Sequence, residues 1–437
     1  MTVTRATAPL RPLLLAEAAN PEWVSVPLVG WSMARAIAAR TDAHLVTQVR
    51  NREALLRAGL REGIDFTAID TEALAKVLWK AGTLLVGENK GFTVHTALGS
   101  LSYYLFEHLV WRTFGPRIER REFDVVHRIT PLSPSTPSTI AGRCRRAGVP
   151  FVVGPLNGGV PWPKEFSEFR SREREWLSSV RDVYKLLPGY RATLRDAAAI
   201  LAGSGITYDQ LPGWSHRLYL PENAIDPARF SARRTRRAAS PVRAVFLGRL
   251  IALKGVDMLL EAAAPLVRAG KLTVELIGDG PERAPLEAQA AKEDLGSGVV
   301  FTGWLPHAEV PARLAEADVF TFPSVREFGG GAVLEAMAVG LAAVVVDYAG
   351  PAELVTPRTG WAIPLGPRPV LVGRIRERLE ALCADPSELD RRGAAALRRA
   401  HEQFTWAAKA ERLLDVYRWV LGQTPAPHFP MPIPDPR

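Results

Sequence analysis

The clearest local pattern in the chain is "DVFTFPSVREFGGGAVLEAMAVG", residues 318–340. It opens with a short, continuously apolar run that ends at Pro323, and such a run is typical of a strand buried on both faces of a sheet. A polar, glycine-rich loop follows, and then an apolar segment of helical composition that Gly340 would end. The stretch therefore predicts one strand–loop–helix unit with glycines where the helix begins.

The same pattern recurs along the chain in two series. The predicted strands occupy residues 12–16, 43–49, 123–127, 150–154 and 197–203 in the first series, and 242–248, 272–278, 299–303, 318–323 and 342–347 in the second. Helical stretches separate them, as the crossovers of parallel sheets require. The sequence thus predicts an α/β protein with two doubly wound, Rossmann-like domains. Ligands would bind beyond the carboxyl ends of the strands, in the cleft between the domains.

Composition shifts suggest where these domains begin and end. We place the first domain at residues 1–221 and the second at 222–403. The Arg-rich segment 221–240 has little apolar periodicity and is interpreted as the linker. An amphipathic helix is predicted over 404–421, and the proline-rich tail, 422–437, is expected to be extended or disordered.

The overall composition excludes several classes of protein. The chain has 437 residues, 47% of them hydrophobic, and a net charge of +9, which is an ordinary globular composition with a basic surface. Cys144 and Cys383 are too far apart in sequence to predict a disulfide framework or a zinc cluster, which favours the cytosol. The sequence contains no zinc finger, RNP motif or basic stripe with interleaved aromatics, so it does not favour binding to nucleic acid. The longest apolar region, 101–114, contains Glu107 and His108 and is too short to span a bilayer, so no transmembrane helix is predicted.

Two carboxylates flank the glycine loop of the opening stretch. Glu335 is the only charge in an apolar segment, where a buried carboxylate needs hydrogen-bond donors. The two hydroxyls of a ribose would supply them, and so would a buried arginine or the end of a neighbouring helix. Glu327 precedes the helix, where it either favours the helix dipole or holds sugar hydroxyls. Glycine amides at a helix start suit a phosphate lying between the two.

The loop after the first strand of the second series supplies the cations that a diphosphate would need. Gly248 ends that strand, Arg249 follows it, and Lys254 begins the next helix. Arginine can donate two hydrogen bonds to phosphate oxygens, and lysine adds a point charge. The alternative interpretation is that both residues are solvated cations on a surface loop. Two further strand-end loops, where a base could settle, are "DGPE" at 279–282 with Gly280 and "WLP" at 304–306 with Leu305.

Six motifs follow one another in the second half of the chain. They are "GRLIALKG", "IGDGPE", "VVFTGWLP", "ADVFTFPS", "EFGGGAVLE" and "AGPAELV". In this order they resemble the nucleotide-sugar-binding domain of glycosyltransferase family 4, which has the GT-B fold and whose E-x7-E signature matches Glu327 and Glu335. The resemblance covers about 225–421 closely and the first half in layout only. It implies a retaining, metal-independent glycosyltransferase that has a nucleoside-diphosphate sugar as co-substrate and no cofactor. It also implies that the helix at 404–421 packs back on the first domain.

The resemblance implies a role for each matched residue. Arg249 and Lys254 would stabilise the leaving diphosphate and Glu327 would hold the donor sugar; these three are the predicted catalytic residues. Glu335 would bind the ribose, and the backbone of Leu305 would contact the base. The remaining predicted nucleotide-sugar contacts are Gly30, Ser32, His127, Gly248, Gly280, Gly329, Gly330 and Gly331.

The chain departs from the family pattern at three places. Phe328 stands where the family has a glycine after the first glutamate. The first loop, where the family has a pair of glycines, here has Gly30 before the predicted helix, followed by Trp31 and Ser32. Ile129 stands where many relatives have a second histidine, so His127 is either a ligand contact or a buried structural histidine. These departures concern recognition of the donor sugar more than binding of the nucleotide.

The acceptor is expected on the first domain, whose most unusual loop is "GPLNGGVPWPKEF" at 154–166. A tight turn with a core tryptophan is the alternative interpretation of this loop. The next segment, 165–187, predicts a basic amphipathic helix that either lies on an anionic membrane or packs on its own sheet. The candidate acceptor contacts are Asn157, Gly158, Gly159 and Trp162.

The expected function is transfer of a hexose-type sugar to a hydroxyl of a glycan or lipid-linked acceptor. The expected location is the cytoplasm, including the inner face of the plasma membrane. Two alternatives stay open: a soluble synthase that glycosylates a small molecule, and a catalytically silent subunit that binds a nucleotide sugar. A dinucleotide dehydrogenase is not favoured, because no predicted strand leads into G-x-G-x-x-G.

Overall fold

The structure is a computed structural model that describes residues 9–72, 92–166, 185 and 187–436, with the backbone alone at 92–101. These residues form two compact units. The first unit runs to Gly159, resumes beyond the second gap up to Glu222, and includes Trp406–Phe429; the second holds the other described residues. The amphipathic helix predicted over 165–187 lies almost wholly outside the described residues.

The first unit contains a seven-stranded sheet. Its strands are β1 (Pro12–Ala16), β2 (His44–Gln48), β3 (Phe66–Ile69), β4 (Val125–Thr130), β5 (Phe151–Leu156), β6 (Ala199–Ala202) and β7 (Arg217–Tyr219). They lie in the order 3-2-1-4-5-6-7 and every pairing is parallel. Its helices are α1 (Val26–Ala38), α2 (Arg52–Arg57), α3 (Phe92–Glu119), α4 (Ile140–Ala147), α5 (Tyr190–Asp196) and α6 (Gly205–Gln210).

Two apolar clusters, one with α3 and the other with α1, form the core of this unit. Phe106 and Phe114 of α3 belong to one cluster, and Ile37 of α1 belongs to the other. The C-terminal helix, Trp406–Val420, joins the α1 cluster through Tyr417, so it is part of the first unit. Among the described residues no helix is both long enough and apolar enough to cross a membrane.

The second unit contains a six-stranded sheet. Its strands are β8 (Val242–Leu247), β9 (Leu272–Ile277), β10 (Val299–Gly303), β11 (Val319–Phe322), β12 (Ala342–Asp347) and β13 (Gly360–Pro364). Its helices are α7 (Val256–Arg268), α8 (Arg283–Lys292), α9 (Val310–Leu314), α10 (Gly331–Ala338), α11 (Gly350–Leu354), α12 (Arg368–Ala384) and α13 (Ser387–Gln403). The strands are parallel in the order 10-9-8-11-12-13. The order reverses direction between β8 and β11, and ligands of such sheets bind at this switch point.

The predicted α/β class with two doubly wound parallel sheets is confirmed. The sequence analysis did not predict β3, β7 and β13, all of which lie at the edge of a sheet. An edge strand has only one neighbour, so it can be short and need not be continuously apolar. β7 has only three residues, "RLY", which is too short for a period to be read.

Arginine side chains hold the segments interpreted as linker and tail, through ion pairs in the first and hydrogen bonds in the second. The boundary between the units falls at Glu222, inside the predicted linker, but the rest of that segment packs on the second unit. There Arg234 and Arg236 both pair with the fully buried Asp318. The tail, described to residue 436, forms neither helix nor strand, and the buried Arg399 donates to backbone carbonyls near its end, including that of Ile433 at 2.7 Å.

Candidate functional site

The loops after β8 and β11 meet at the switch point of the second unit and hold each other in place. The Ser324 hydroxyl donates to the Leu253 carbonyl at 3.1 Å, and the Val325 N–H donates to the same carbonyl at 3.0 Å. Gly255 has a φ of +65°, and a Cβ there would lie 2.5 Å from the carbonyl oxygen of Pro323. Only glycine therefore allows the two loops to approach this closely.

Lys254 and Glu327, one from each loop, form an ion pair with side chains 14% and 19% exposed. The Lys254 ammonium also lies 4.8 Å from the ring centroid of Phe322, which adds a cation–π attraction. The other carboxylate oxygen of Glu327 accepts a hydrogen bond from the Phe328 N–H at 3.3 Å. An anionic ligand at this point would compete with Glu327 for the lysine.

Arg249 is placed by close packing between the loops after β8 and β9. A Cβ on Gly280 would lie 2.3 Å from the Leu250 carbonyl oxygen, and a Cβ on Gly278 would lie 2.0 Å from that of Gly248. Both glycines are thus required by the approach of one backbone to the other. The Arg249 side chain is exposed, and within the described ranges its guanidinium has no hydrogen bond or ion pair. It is available to an anion.

The glycines of the opening stretch lead into α10 as predicted. Gly329 and Gly330 are buried, and Gly330 precedes the helix with a φ of +65°. A Cβ on Gly330 would lie 3.2 Å from Pro351 and from Leu354, so a larger residue would crowd α11. Gly331 is the first helical residue, and the N-cap residue, Gly330, has no side chain with which to cap the helix. This end of α10 therefore suits an anionic group.

Glu335 lies one turn further along α10 and its side chain is 21% exposed. Burial raises the pKa of its carboxyl from 4.5 to about 7, and the positive charge of Arg229 opposes that shift. Its Oε1 lies 3.0 Å from Nε2 of His307. The carboxyl therefore changes charge near neutral pH. When ionised, it can accept hydrogen bonds from a ligand hydroxyl as well as from the histidine.

Sequence reasoning missed three residues around this carboxyl. His307 follows the half-buried Leu305 by two positions, and its ring meets that of Phe230 edge-on at 6.4 Å. Arg229 and Phe230 belong to the segment interpreted as a linker. A histidine in a strand-end loop is a signal that could have been noticed in "WLPHAEV". No local pattern predicts that Arg229 and Phe230 pack here.

In the first unit, Gly30 and Ser32 lie inside a helix rather than in the loop before it. Helix α1 begins at Val26, and Pro27 lies in its first turn, where the missing N–H of proline costs no hydrogen bond. A Cβ on Gly30 would lie 2.1 Å from the Ala18 carbonyl oxygen, so this glycine is required by packing of the helix against the β1 loop. The predicted position of Gly30 before the helix is wrong.

His127 is fully buried and both of its ring nitrogens are engaged. Nε2 lies 2.7 Å from the Gly154 carbonyl oxygen, which can only accept, so Nε2 carries the hydrogen. Nδ1 then accepts from the Tyr417 hydroxyl at 2.6 Å. Burial lowers the pKa of the imidazole to about 4, so the ring is neutral. This geometry matches the structural alternative for His127, and Ile129 is buried in the same core.

The predicted acceptor contacts are divided between the two units. Asn157, Gly158 and Gly159 belong to the first unit, where the Ser204 hydroxyl donates to Asn157 Oδ1 at 3.1 Å. Asn157 is 7% exposed, and its Nδ2 has no hydrogen-bond partner among the described residues. Trp162 belongs to the second unit. Within neither unit, therefore, does the described structure gather all four.

Comparisons with known proteins agree with this architecture. Residues 241–380 match the family described as glycosyl transferases group 1. A stretch of 96 residues, 22% of this chain, is 44% identical to 25% of 2-deoxystreptamine glucosyltransferase from Streptomyces kanamyceticus. A match of 286 residues at 33% identity covers 60% of this chain and 70% of alpha-maltose-1-phosphate synthase from Mycobacterium tuberculosis. The crystal structure of an Anabaena protein with UDP and glucose has a TM-score of 0.56 at 16% identity, over 93% of this chain and 99% of that one.

The two doubly wound parallel sheets and the solved structures that share them define the GT-B class of fold. Within that class, the chain belongs to the group 1 glycosyl transferases. For several other curated relatives, the match spans between 25% and 62% of the relative's own length.

Proposed function

We propose that this chain is a retaining glycosyltransferase that moves a hexose-type sugar from a nucleoside-diphosphate sugar to a hydroxyl of a glycan or lipid-linked acceptor. The observation that carries the proposal is the ion pair between Lys254 and Glu327 before the open end of α10, with Glu335 one turn into that helix. A sugar nucleotide has an anionic centre between two groups of hydroxyls. The cations and the helix amides suit the anionic diphosphate, and the two carboxylates suit the hydroxyls on either side of it.

The diphosphate would engage Arg249, Lys254 and the first amides of α10. Because Lys254 is already paired, arrival of a phosphate would draw it away from Glu327. The released carboxylate would then accept hydrogen bonds from hydroxyls of the donor sugar. Gly329, Gly330 and Gly331 have no side chain to obstruct the approach of sugar or phosphate.

The nucleoside would lie toward Glu335. Its ribose hydroxyls would donate to the carboxylate, of which His307 holds one oxygen at 3.0 Å. The base would contact the backbone near Leu305, after β10. The structure of the Anabaena protein was determined with UDP and glucose, and these are the natural first probes for this chain.

The proposed chemistry is departure of the diphosphate with its charge stabilised in place. As the bond between the anomeric carbon and the phosphate oxygen breaks, negative charge develops beside Arg249 and Lys254. Donors that are already oriented stabilise that charge without reorganising. The acceptor hydroxyl attacks from the same face and the leaving phosphate takes its proton, so the anomeric configuration is retained. The proposal requires neither a carboxylate nucleophile nor a metal ion.

The acceptor is proposed to be a glycan or lipid-linked sugar, with the enzyme in the cytoplasm and in contact with the inner face of the plasma membrane. A small-molecule acceptor is the second candidate, favoured by the 44% identity to a 2-deoxystreptamine glucosyltransferase. Membranes and soluble 2-deoxystreptamine, each incubated with enzyme and radiolabelled UDP-glucose, separate the two. Label extracted with lipid supports the first candidate, whereas label on the aminocyclitol supports the second.

Thermal unfolding with UDP, GDP, ADP, TDP and their glucose conjugates tests the donor. A ligand at 100 times its dissociation constant should stabilise the native state by about 2.7 kcal/mol. We expect one base to stabilise wild type and not Glu335→Ala. Stabilisation by none of these ligands would contradict the proposal. Binding without release of free sugar from the conjugate would instead support a catalytically silent subunit.

A further inference from the structure

Arg326, the residue before Glu327, lies against two aromatic rings. Its guanidinium carbon is 4.7 Å from the ring centroid of Trp162 and 5.5 Å from that of Phe328. Its Nε also donates to the Val160 carbonyl at 3.1 Å. A planar guanidinium stacks on aromatic faces while its edge donates hydrogen bonds, and an ammonium cannot do both. All of these residues belong to the second unit.

The segment that carries Trp162 is anchored independently. The Tyr348 hydroxyl, in the loop after β12, donates to the Pro161 carbonyl at 2.9 Å. Phe166 is fully buried, and Pro163 is buried with it. Two prolines limit the backbone freedom of this segment. Trp162 is therefore a fixed surface for Arg326, although the sequence placed it on the acceptor side.

Phe328 is fixed from the other side. A Cβ on Gly350 would lie 2.0 Å from the Phe328 carbonyl oxygen, so this position must lack a side chain for the loop to lie as it does. The Ser324 hydroxyl lies 3.2 Å from the Arg326 carbonyl oxygen. Glu327 thus stands between two neighbours whose backbone and side chains are both held.

We propose that Trp162, Arg326 and Phe328 form one wall of the donor-sugar subsite, in which Arg326 is a positioning residue that orients Glu327. The inference rests on the proposed function and refines it. The inference assigns a role to Phe328, which replaces the glycine usual in this family. The Phe328 ring is the second aromatic ring that the Arg326 guanidinium contacts. It also moves Trp162 from the acceptor side to the donor side.

A purely structural clamp would make a different prediction. If the stack only held the loop in place, its loss would weaken the binding of every ligand of that loop alike, including a nucleotide without a sugar. If it orients Glu327, its loss should weaken a sugar nucleotide and leave the nucleotide alone unaffected. The ratio of the two dissociation constants therefore separates the roles.

The test measures binding of UDP and UDP-glucose by calorimetry to wild type, R326K and F328G. R326K keeps the charge and loses the planar stack, and F328G restores the family's glycine. Arg392, whose guanidinium carbon lies 4.3 Å from the ring centroid of Trp361 on the far edge of the sheet, offers a matched control in R392K. We expect UDP-glucose to bind about tenfold more weakly to R326K and F328G, UDP to bind within about twofold of wild type, and R392K to change neither.

Three results would overturn the inference. Equal weakening of both ligands would show a clamp, and no change in either would show that the stack has no part in binding. In both cases the proposed function would stand. If the wild type binds neither these two ligands nor the other nucleotides of the unfolding screen, the proposed function fails and the inference fails with it.

Discussion

A sugar nucleotide should bind about tenfold more weakly at pH 6 than at pH 8, because the carboxyl of Glu335 titrates between them. Its pKa is raised to about 7 by burial. A ribose hydroxyl donates well to an ionised carboxylate, whereas a neutral carboxyl competes with it as a donor. The ionised fraction falls from roughly 0.9 at pH 8 to roughly 0.1 at pH 6. If only that form binds, the loss is about 1.4 kcal/mol.

The assay is calorimetric titration with UDP-glucose at pH 6, 7 and 8. A sugar nucleotide is preferable to UDP because it has no terminal phosphate monoester, a group that itself titrates near 6. The matched control is E335Q, which keeps the shape and an oxygen that can accept from His307. Lys409, whose pKa is lowered to about 7 by burial, is retained in that variant. Any slope left in E335Q therefore measures groups other than Glu335.

Among the described residues, the charged or titratable groups that act on this carboxyl are His307, by contact, and Arg229, by charge. Neither is altered in E335Q, so the difference between the two profiles belongs to Glu335. A change of less than about twofold in the wild type between pH 6 and pH 8 would refute the reasoning. An equally steep profile in E335Q would refute it as well.

Three further predictions concern stability and catalysis. The Glu335 pKa rises from 4.5 to about 7 on folding, so its contribution to stability is present below pH 4.5 and lost as pH rises through 7. Urea unfolding should therefore show E335Q more stable than wild type by up to about 3 kcal/mol at pH 8. This difference should be absent at pH 4. K254M, which removes the partner of Glu327, should slow release of glucose from UDP-glucose by roughly 10²–10³-fold in a coupled assay, and an unchanged rate would exclude Lys254 from the reaction. Y417F should cost about 1–3 kcal/mol in urea unfolding, because Nδ1 of His127 is left buried without a donor, while the rate of glucose release stays at the wild-type value.

The donor side of the candidate site could be predicted because its residues follow strands that are themselves easy to recognise. Glu327, the glycines and Glu335 occupy one strand–loop–helix unit, and Lys254 follows the neighbouring strand in the sheet. The carboxyl ends of adjacent parallel strands meet at one edge, so their loops must be close. The pairing of Lys254 with Glu327 is a consequence of that adjacency.

Other features depended on packing that no local pattern records. Arg229 acts by its charge on Glu335 from a segment with little apolar periodicity, so no local pattern placed it near that carboxyl. Gly30 fits inside α1 only because the helix passes against the Ala18 carbonyl. Trp162 follows a loop of the first unit by a few residues, yet contacts Arg326 of the second.

Sequence patterns alone predicted the two parallel sheets, their central strands and the loops in which charges and glycines lie. These properties are local, since they follow from apolar runs, turn residues and helix starts within a few positions of one another. Three features became visible only in the folded chain. Tyr417 hydrogen-bonds to the buried His127, Glu335 contacts His307, and the pKa of Glu335 is raised to about 7. Burial and pairing depend on which distant segments exclude water from a group, and only the folded chain brings those segments together.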